Sequence, residues 1–498
     1  MKHYNDIVVG AGASGLTLAY LLALNGRSVL LLEKAPHVGG GLARFKKNGV
    51  ALDTGFHFTS GLHEGGLLSE MFKVLGIRNK IETVSWSDEK SNRYVFEQDH
   101  ATYDVPMGVK AFKEKLKSYF PEEINGLDRY FERAGKVSEQ NRSLDFRKNL
   151  KSPFSNDEHL VSLQQVLDSL FENLHLKGIL STHCLCYGVR PSEVSFATHC
   201  HAAYGFYEGI SRIKDGGDAV IRAFQNQEAY SNIDIRLNSY ITGCADVSEH
   251  QVGRFILNTG EEIEFDQCTF TIHPKEIVNV LPKSRLSKAF LDRVESFEPS
   301  SGFFSVYAVI EDSVEDFQPG ITSLFPVSDV DGMMGSVNGS PTVLGVFTSE
   351  ETFNGKPCKL LTALELACFE QVEAWKTTSA MRRPDSYRVY KQKRVDHIVK
   401  RILDFYPQYR NSLKVLDSAS MLTFRDYLHS YDGTAYGVKQ KMGQYNLFGK
   451  LPYRNIYVAG QSAFLPGLLG AMMSAFIVAR WILGKEVYEQ FIDARNCV

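Results

Sequence analysis

The first 34 residues constrain this fold more than any other stretch. Residues 6–12 read DIVVGAG, a β-branched apolar run that ends in glycine. Residues 14–25, SGLTLAYLLALN, carry strong helix formers and no proline; Gly26 stops the helix, and SVLLLEK at 28–34 is a second apolar run. Continuous apolar strands joined through a helix predict a parallel sheet buried on both faces. The turn spaces Gly10, Gly12 and Gly15 as G-x-G-x-x-G, with Ala13 and Ser14 inside it. Gly10 permits the tight turn, Gly12 lets backbone approach a pyrophosphate, and Gly15 lets the helix pack on the strand. The helix N-terminus then offers free N–H groups and the positive end of its dipole. Glu33 ends the second strand 18 residues after Gly15, followed by Lys34. There a carboxylate can accept from both ribose hydroxyls, and the whole unit predicts dinucleotide binding.

Composition removes other classes. The chain has 498 residues, 44% hydrophobic, with 32 Phe and a net charge of −3. That length suggests roughly three folding units. The apolar content excludes a disordered chain, and the charge excludes nucleic acid as the main partner. Eight cysteines follow no regular framework, and no secretory signal pattern precedes the first strand. The expectation is a cytoplasmic protein with reduced thiols. His183, Cys184, Cys186, His199, Cys200 and His201 cluster in sequence without a C-x-x-C pair, in an apolar segment. They read as buried core residues, with no metal expected.

The stretch after the second strand reads EKAPHVGGGLARFKKNGVALDTGFHF. An acid, five residues, Gly39-Gly40, a short hairpin and then D-x-G resemble the second half of the flavin fingerprint of the amine oxidase and phytoene desaturase superfamily. The resemblance implies FAD, with the Gly39-Gly40-Gly41 loop along its phosphates and ribityl chain. Gly41 stands where many members carry a side chain, so Arg44 is the candidate replacement for a phosphate contact. Phe56 and His57 follow the D-x-G. At the other end, NIYVAGQSAFLPGLLGAMMSAFIVARWILG (455–484) reads as a strand, a loop with Gly460 and Gln461, and a helix opening at Pro466-Gly467. In the superfamily this helix N-terminus faces the flavin ring, which puts Gly467, Leu468 and Leu469 against it. Residues 464–483 mimic a membrane span in composition, but Arg480, the internal glycines and the preceding strand predict a buried core helix.

GISRIKDGGDAVIRAFQN (209–226) predicts an amphipathic helix after a glycine turn, and 233–244 two strand pieces. Residues 252–274 predict a hairpin turning at Thr259-Gly260, followed by a returning strand. This order resembles the superfamily's return to its FAD domain, with Ile241 beside the adenine. DTGFHFTSG (53–61), YGVRPSEVSFATHCHAAYGFYEGISRIKDGG (187–217) and TIHP (271–274) resemble a narrower group, the carotenoid isomerase and retinol saturase branch, related to bacterial phytoene desaturases. The fold class expected is α/β: a Rossmann-type FAD-binding domain (1–75, 208–288, 412–498) interleaved with an α+β substrate domain (76–207, 289–411). Within the latter, 301–311 reads as a strand and 359–376 and 391–405 as helices. VKAFKEKLKSYF (109–120) sets Val109, Phe112, Leu116 and Phe120 on one face and carries Lys110, Lys113, Lys115 and Lys117. It reads as a surface helix or, alternatively, as a peripheral contact with an anionic membrane.

No G-x-S-x-G elbow or other nucleophile motif is present, so hydrolase chemistry has no support. The branch implies a hydrophobic polyene or other lipid with C=C bonds as substrate, and saturation, desaturation or net isomerisation as its chemistry. The catalytic residue, the redox direction and the external electron partner stay open. Tyr204, Tyr207, His201, Tyr427 and His57 are candidate proton donors. A flavin amine oxidase, with Tyr445 or Phe464 caging an amine, and a non-enzymatic prenyl-protein escort are the alternatives.

Overall fold

A computed structural model describes residues 2–86, 92–142, 146, 157–311, 314, 316–335, 341–353 and 355–496; Cys497 lies outside them. An eight-stranded sheet is laid down around the first β-α-β unit. Strand Lys2–Val9 pairs in parallel with Val29–Leu32 on one side and with Glu262–Phe270 on the other. Val29–Leu32 pairs in turn with Ile233–Arg236, and the end of Glu262–Phe270 with Ile456–Val458, all parallel. Val9, Leu32, Phe270 and Val458 are in register, so four strand ends open onto one crevice. That is where ligands bind in parallel α/β sheets. Ile241–Val247 and Val252–Leu257 extend the sheet as an antiparallel meander.

Helices Ala13–Leu24 and Gly467–Leu483 are apolar around most of their circumference, and both are buried almost throughout. A helix without a polar face needs protein on every side. Here the two helices pack together over the sheet in one core. Among the described residues no helix is long and apolar enough to cross a membrane, and 464–483 lies in this core as its sequence predicts.

The second layer is a seven-stranded sheet in the order 413–419, 302–310, 356–367, 344–353, 320–325, 92–96 and 101–104. Successive residues alternate between its faces. Tyr94 and Phe96 join a core with helices Val109–Tyr119, Ile124–Arg142 and Phe196–Glu208, while Val95 faces the core under helix Asp385–Phe405.

Three expectations change. Residues 359–376 are no helix: Lys356–Ala367 is a strand paired on both edges, and Phe369–Trp375 is a 3-10 turn. Leu, Ala and Glu favour a helix there, but two ladders of partners override that propensity. Leu413–Ala419, placed with the FAD-binding segments from sequence, pairs with Gly302–Ile310 at the edge of the second sheet. In the lysine-bearing helix, Phe112, Leu116 and the following Phe120 are buried in the protein. Lys113 and Lys117 bridge to Asp128 at 3.1 and 2.8 Å. That apolar face is already covered and cannot enter a bilayer, which leaves the ordinary surface helix.

Candidate functional site: two cavities with a shared wall

The glycine turn has the geometry its spacing predicts. Gly10 has φ +98°, in the region that favours glycine. A Cβ on Gly15 would sit 1.8 Å from the Gly10 carbonyl oxygen, so helix and strand approach as only glycine allows. Gly12 instead faces open space, with nothing within 4 Å of an added Cβ. No side chain caps the helix it precedes, so first-turn N–H groups remain available to an anion. Glu33 accepts the Ala11 and Ala35 N–H groups at 2.7 and 2.8 Å, which orients its carboxylate beside the turn. Gly39 donates its N–H to the Ala11 carbonyl at 2.8 Å, and Gly40 packs on Gly12, so the second glycine loop is latched to the first.

A cavity of about 490 Å³ follows these loops. It runs past Gly10, Gly12, Ala13, Ser14, Glu33, Lys34 and Ile241, then Gly39, Gly40 and Gly41, to Phe56, His57, Gly460, Gln461, Gly467 and Leu468. At its far end helix Gly467–Leu483 starts with no side-chain cap, and an added Cβ on Gly467 would meet nothing within 4 Å. Ser474 ties the two ends of the chain together: its hydroxyl accepts the Gly460 N–H at 2.8 Å and lies 3.2 Å from that of Ser14. Two uncapped helix starts and open glycine faces fit an elongated, anionic dinucleotide.

Arg44 is a correction. Its guanidinium meets Asp53 at 2.9 Å and Glu351 at 2.8 Å, and Arg212 bridges the same two carboxylates. The four side chains are nearly inaccessible, and Arg44 does not line the cavity. Buried carboxylates hold it, so it clamps the hairpin Arg44–Asp53 to the second sheet.

A second cavity, of about 470 Å³, lies between the layers. Phe58, Phe206, Ile210, Ile321, Val343 and Phe347 give it apolar walls, and Leu469 lines it rather than the first cavity. His57 and Tyr436 line both cavities, as do Phe56, Phe303, Gly467 and Leu468. Sequence reasoning missed Tyr436, although it stands in the segment before the last flavin-type strand; Thr271, His273 and Ser462 of the first cavity were missed as well.

The candidate proton donors separate. His57, stacked on Phe347 at 5.6 Å, is pushed down to about 4 by burial, with Arg212 and Arg44 adding to that and Asp53 opposing. His201 and Tyr204 line only the second cavity, and Tyr427 only the first. Tyr207 lines neither: it is buried among helices with its hydroxyl 3.5 Å from that of Tyr130. Tyr445 is 71% exposed and lines neither cavity, which removes it from any amine cage, whereas Phe464 lines the second. Of the His/Cys group, His183, Cys186, Cys200 and His201 line the second cavity, while Cys184 and His199 make core contacts. His199 lies 2.7 Å from the Tyr187 hydroxyl, which also meets Cys184 at 3.0 Å. Among the described residues no group of three or more His, Cys, Asp or Glu could hold a metal ion.

Residues 8–75 match the NAD(P)-binding Rossmann-like domain family. The whole architecture is a flavin oxidase fold. A putrescine oxidase structure superposes with a TM-score of 0.66 at 15% identity, covering 96% of this chain and 98% of that one. An oxidoreductase from Methanosarcina mazei gives 0.64 at 15%, covering 95% and 99%. Together with the site, these point to a flavin-type cofactor. The branch is narrower. All-trans-retinol 13,14-reductase of Homo sapiens is 24% identical over 98% of this chain and 87% of its own length. Prolycopene isomerase 1 of an Oncidium hybrid is 29% identical over 30% of this chain and 25% of that protein. These similarities support the retinol saturase, carotenoid isomerase and phytoene desaturase branch of the flavin oxidoreductase superfamily.

Proposed function

We propose that the protein is an FAD-dependent oxidoreductase that acts on C=C bonds of a hydrophobic polyene or related lipid. The carrying observation is the wall shared by the two cavities. A dinucleotide-shaped cavity meets an apolar one there, beside the start of helix Gly467–Leu483. The similarity to retinol 13,14-reductases along nearly the whole chain supports the same conclusion.

The site's residues divide the work. The Gly12 turn and the N–H groups behind it would hold the pyrophosphate, Glu33 the ribose and Ile241 the adenine. The uncapped helix at Gly467 would turn its positive end toward the ring and favour negative charge there. FAD, when bound, supplies hydride exchange with carbon. The apolar walls of the second cavity exclude water and align a long chain across the shared wall.

The test is direct. The purified protein should show flavin absorbance, and denaturation should release FAD. The reduced protein, incubated anaerobically with retinoid and carotenoid polyenes, should return saturated or isomerised products. A colourless protein that still binds prenyl chains would instead support the escort reading. Turnover of a water-soluble amine with no action on polyenes would support the amine oxidase reading.

A further inference from the structure

Resting on the polyene reading above, we propose that the Tyr436 hydroxyl is the acid that protonates the substrate carbon next to the one receiving hydride. Cofactor and substrate meet only where their cavities meet. Among the described residues lining both cavities, His57 and Tyr436 alone carry a titratable side chain. The Tyr436 ring is held in place. Its backbone N–H donates to the Ser300 hydroxyl at 3.0 Å, and its edge meets Phe303 at 6.3 Å. Gly188, at φ +69°, passes beneath it so closely that an added Cβ would lie 3.2 Å from the ring. Its own hydroxyl makes no hydrogen bond to another described residue, so its proton is not committed to a protein acceptor.

Protonation states separate the two candidates. Burial keeps His57 neutral, so its acidic imidazolium form is scarce at neutral pH. Burial, with Cys186 nearby, holds the Tyr436 phenol well above its usual range, so it retains its proton at neutral pH. In the step, a hydride from the reduced flavin forms a C–H bond at one carbon of the double bond. The π pair moves onto the conjugated neighbour, which takes the proton from Tyr436 Oη. The phenolate left behind regains a proton from water. The substrate gains two electrons, one hydride hydrogen and one solvent-derived proton, and the flavin is oxidised.

The experiment compares the flavin-loaded parent with Tyr436→Phe in deuterated water. The variant should keep its flavin and the shift in flavin absorbance that polyene binding causes. Its yield of saturated product should fall about 10²–10⁴-fold, the range of general acid catalysis. The parent product should carry deuterium at both reacting carbons, because the transferable hydrogen of the reduced flavin sits on nitrogen and also exchanges with solvent. As a second measurement, 3-fluorotyrosine placed at position 436 keeps the shape and lowers the phenol pKa, so the alkaline limb of turnover should move to lower pH. An unmoved limb, or Tyr436→Phe turning over like the parent, overturns the assignment while leaving the polyene reading intact. A flavin-loaded parent that reduces no polyene overturns both.

Discussion

Two glycines of the same motif should fail in opposite ways when changed to alanine. At Gly15 the new Cβ would sit 1.8 Å from the Gly10 carbonyl oxygen. Helix and strand turn must then part by about 1.2 Å to reach 3.0 Å, a distance real Cβ atoms rarely undercut. Overpacking of this kind costs about 1–3 kcal/mol, more than the ~1 kcal/mol that alanine gains over glycine within a helix. At Gly12 an added Cβ meets no atom within 4 Å, and φ is −75°. Gly12→Ala gives up about 1 kcal/mol of N-cap preference and regains about 0.4–1 kcal/mol through a stiffer unfolded chain, so the cofactor-free protein should stay within about 1 kcal/mol of the parent. Its methyl group would occupy the space where backbone approaches the pyrophosphate, so flavin retention should fall. Thermal melts of the cofactor-stripped proteins, set beside flavin content after reconstitution, separate the two effects. A stripped Gly15→Ala protein that melts with the parent refutes the close-approach reasoning. A Gly12→Ala variant with full flavin affinity refutes the placement of the pyrophosphate.

Other outcomes follow from the same structure. Glu351→Ala leaves Arg44 and Arg212 each short of a buried partner and should cost about 3–5 kcal/mol in a denaturation measurement; a loss near zero would show that the quartet does not clamp the layers. Phe112→Ala should destabilise by about 3–5 kcal/mol and leave binding to anionic liposomes unchanged, because that ring lies in the core. Five buried histidines sit below their ordinary value of 6.5 through burial: His57, His183 and His273 at about 4, His199 and His201 at about 3. The unfolded chain then binds more protons than the folded one below pH 6.5, so the stability present above that pH is lost as pH falls toward 4. Each histidine contributes up to about 1.4 kcal/mol per pH unit in that window, and melts that stay constant from about pH 7 to about pH 5 would contradict the burial. Limited proteolysis should release no folded flavin-bearing N-terminal fragment, because Glu262–Phe270 needs the strand Ile456–Val458.

Much of the first cavity's lining was legible in the sequence because its information is local. The positive φ of Gly10, the close packing at Gly15 and the burial of residues 470–480 each follow from a few neighbouring residues and one hydrophobic pattern. The strand at 356–367 was not legible, because its helix-forming residues are overruled by partners 49–65 positions earlier and by the adjacent strand. Arg44 was misassigned for the same reason. From sequence it sits beside a phosphate loop, yet its carboxylate partner Glu351 lies 307 residues away. Tyr436 is one tyrosine among 23 in the sequence. Only the packing of Gly188, Ser300 and Phe303 around its ring sets it where both cavities meet. The sequence by itself determined a dinucleotide-type fold, since spacing and periodicity encode backbone conformation, while its branch was implied only by the resemblance of longer motifs. The tertiary structure alone decided which charges are neutralised inside, which faces are covered and which side chains line both cavities, since those depend on contacts between segments that the chain keeps far apart.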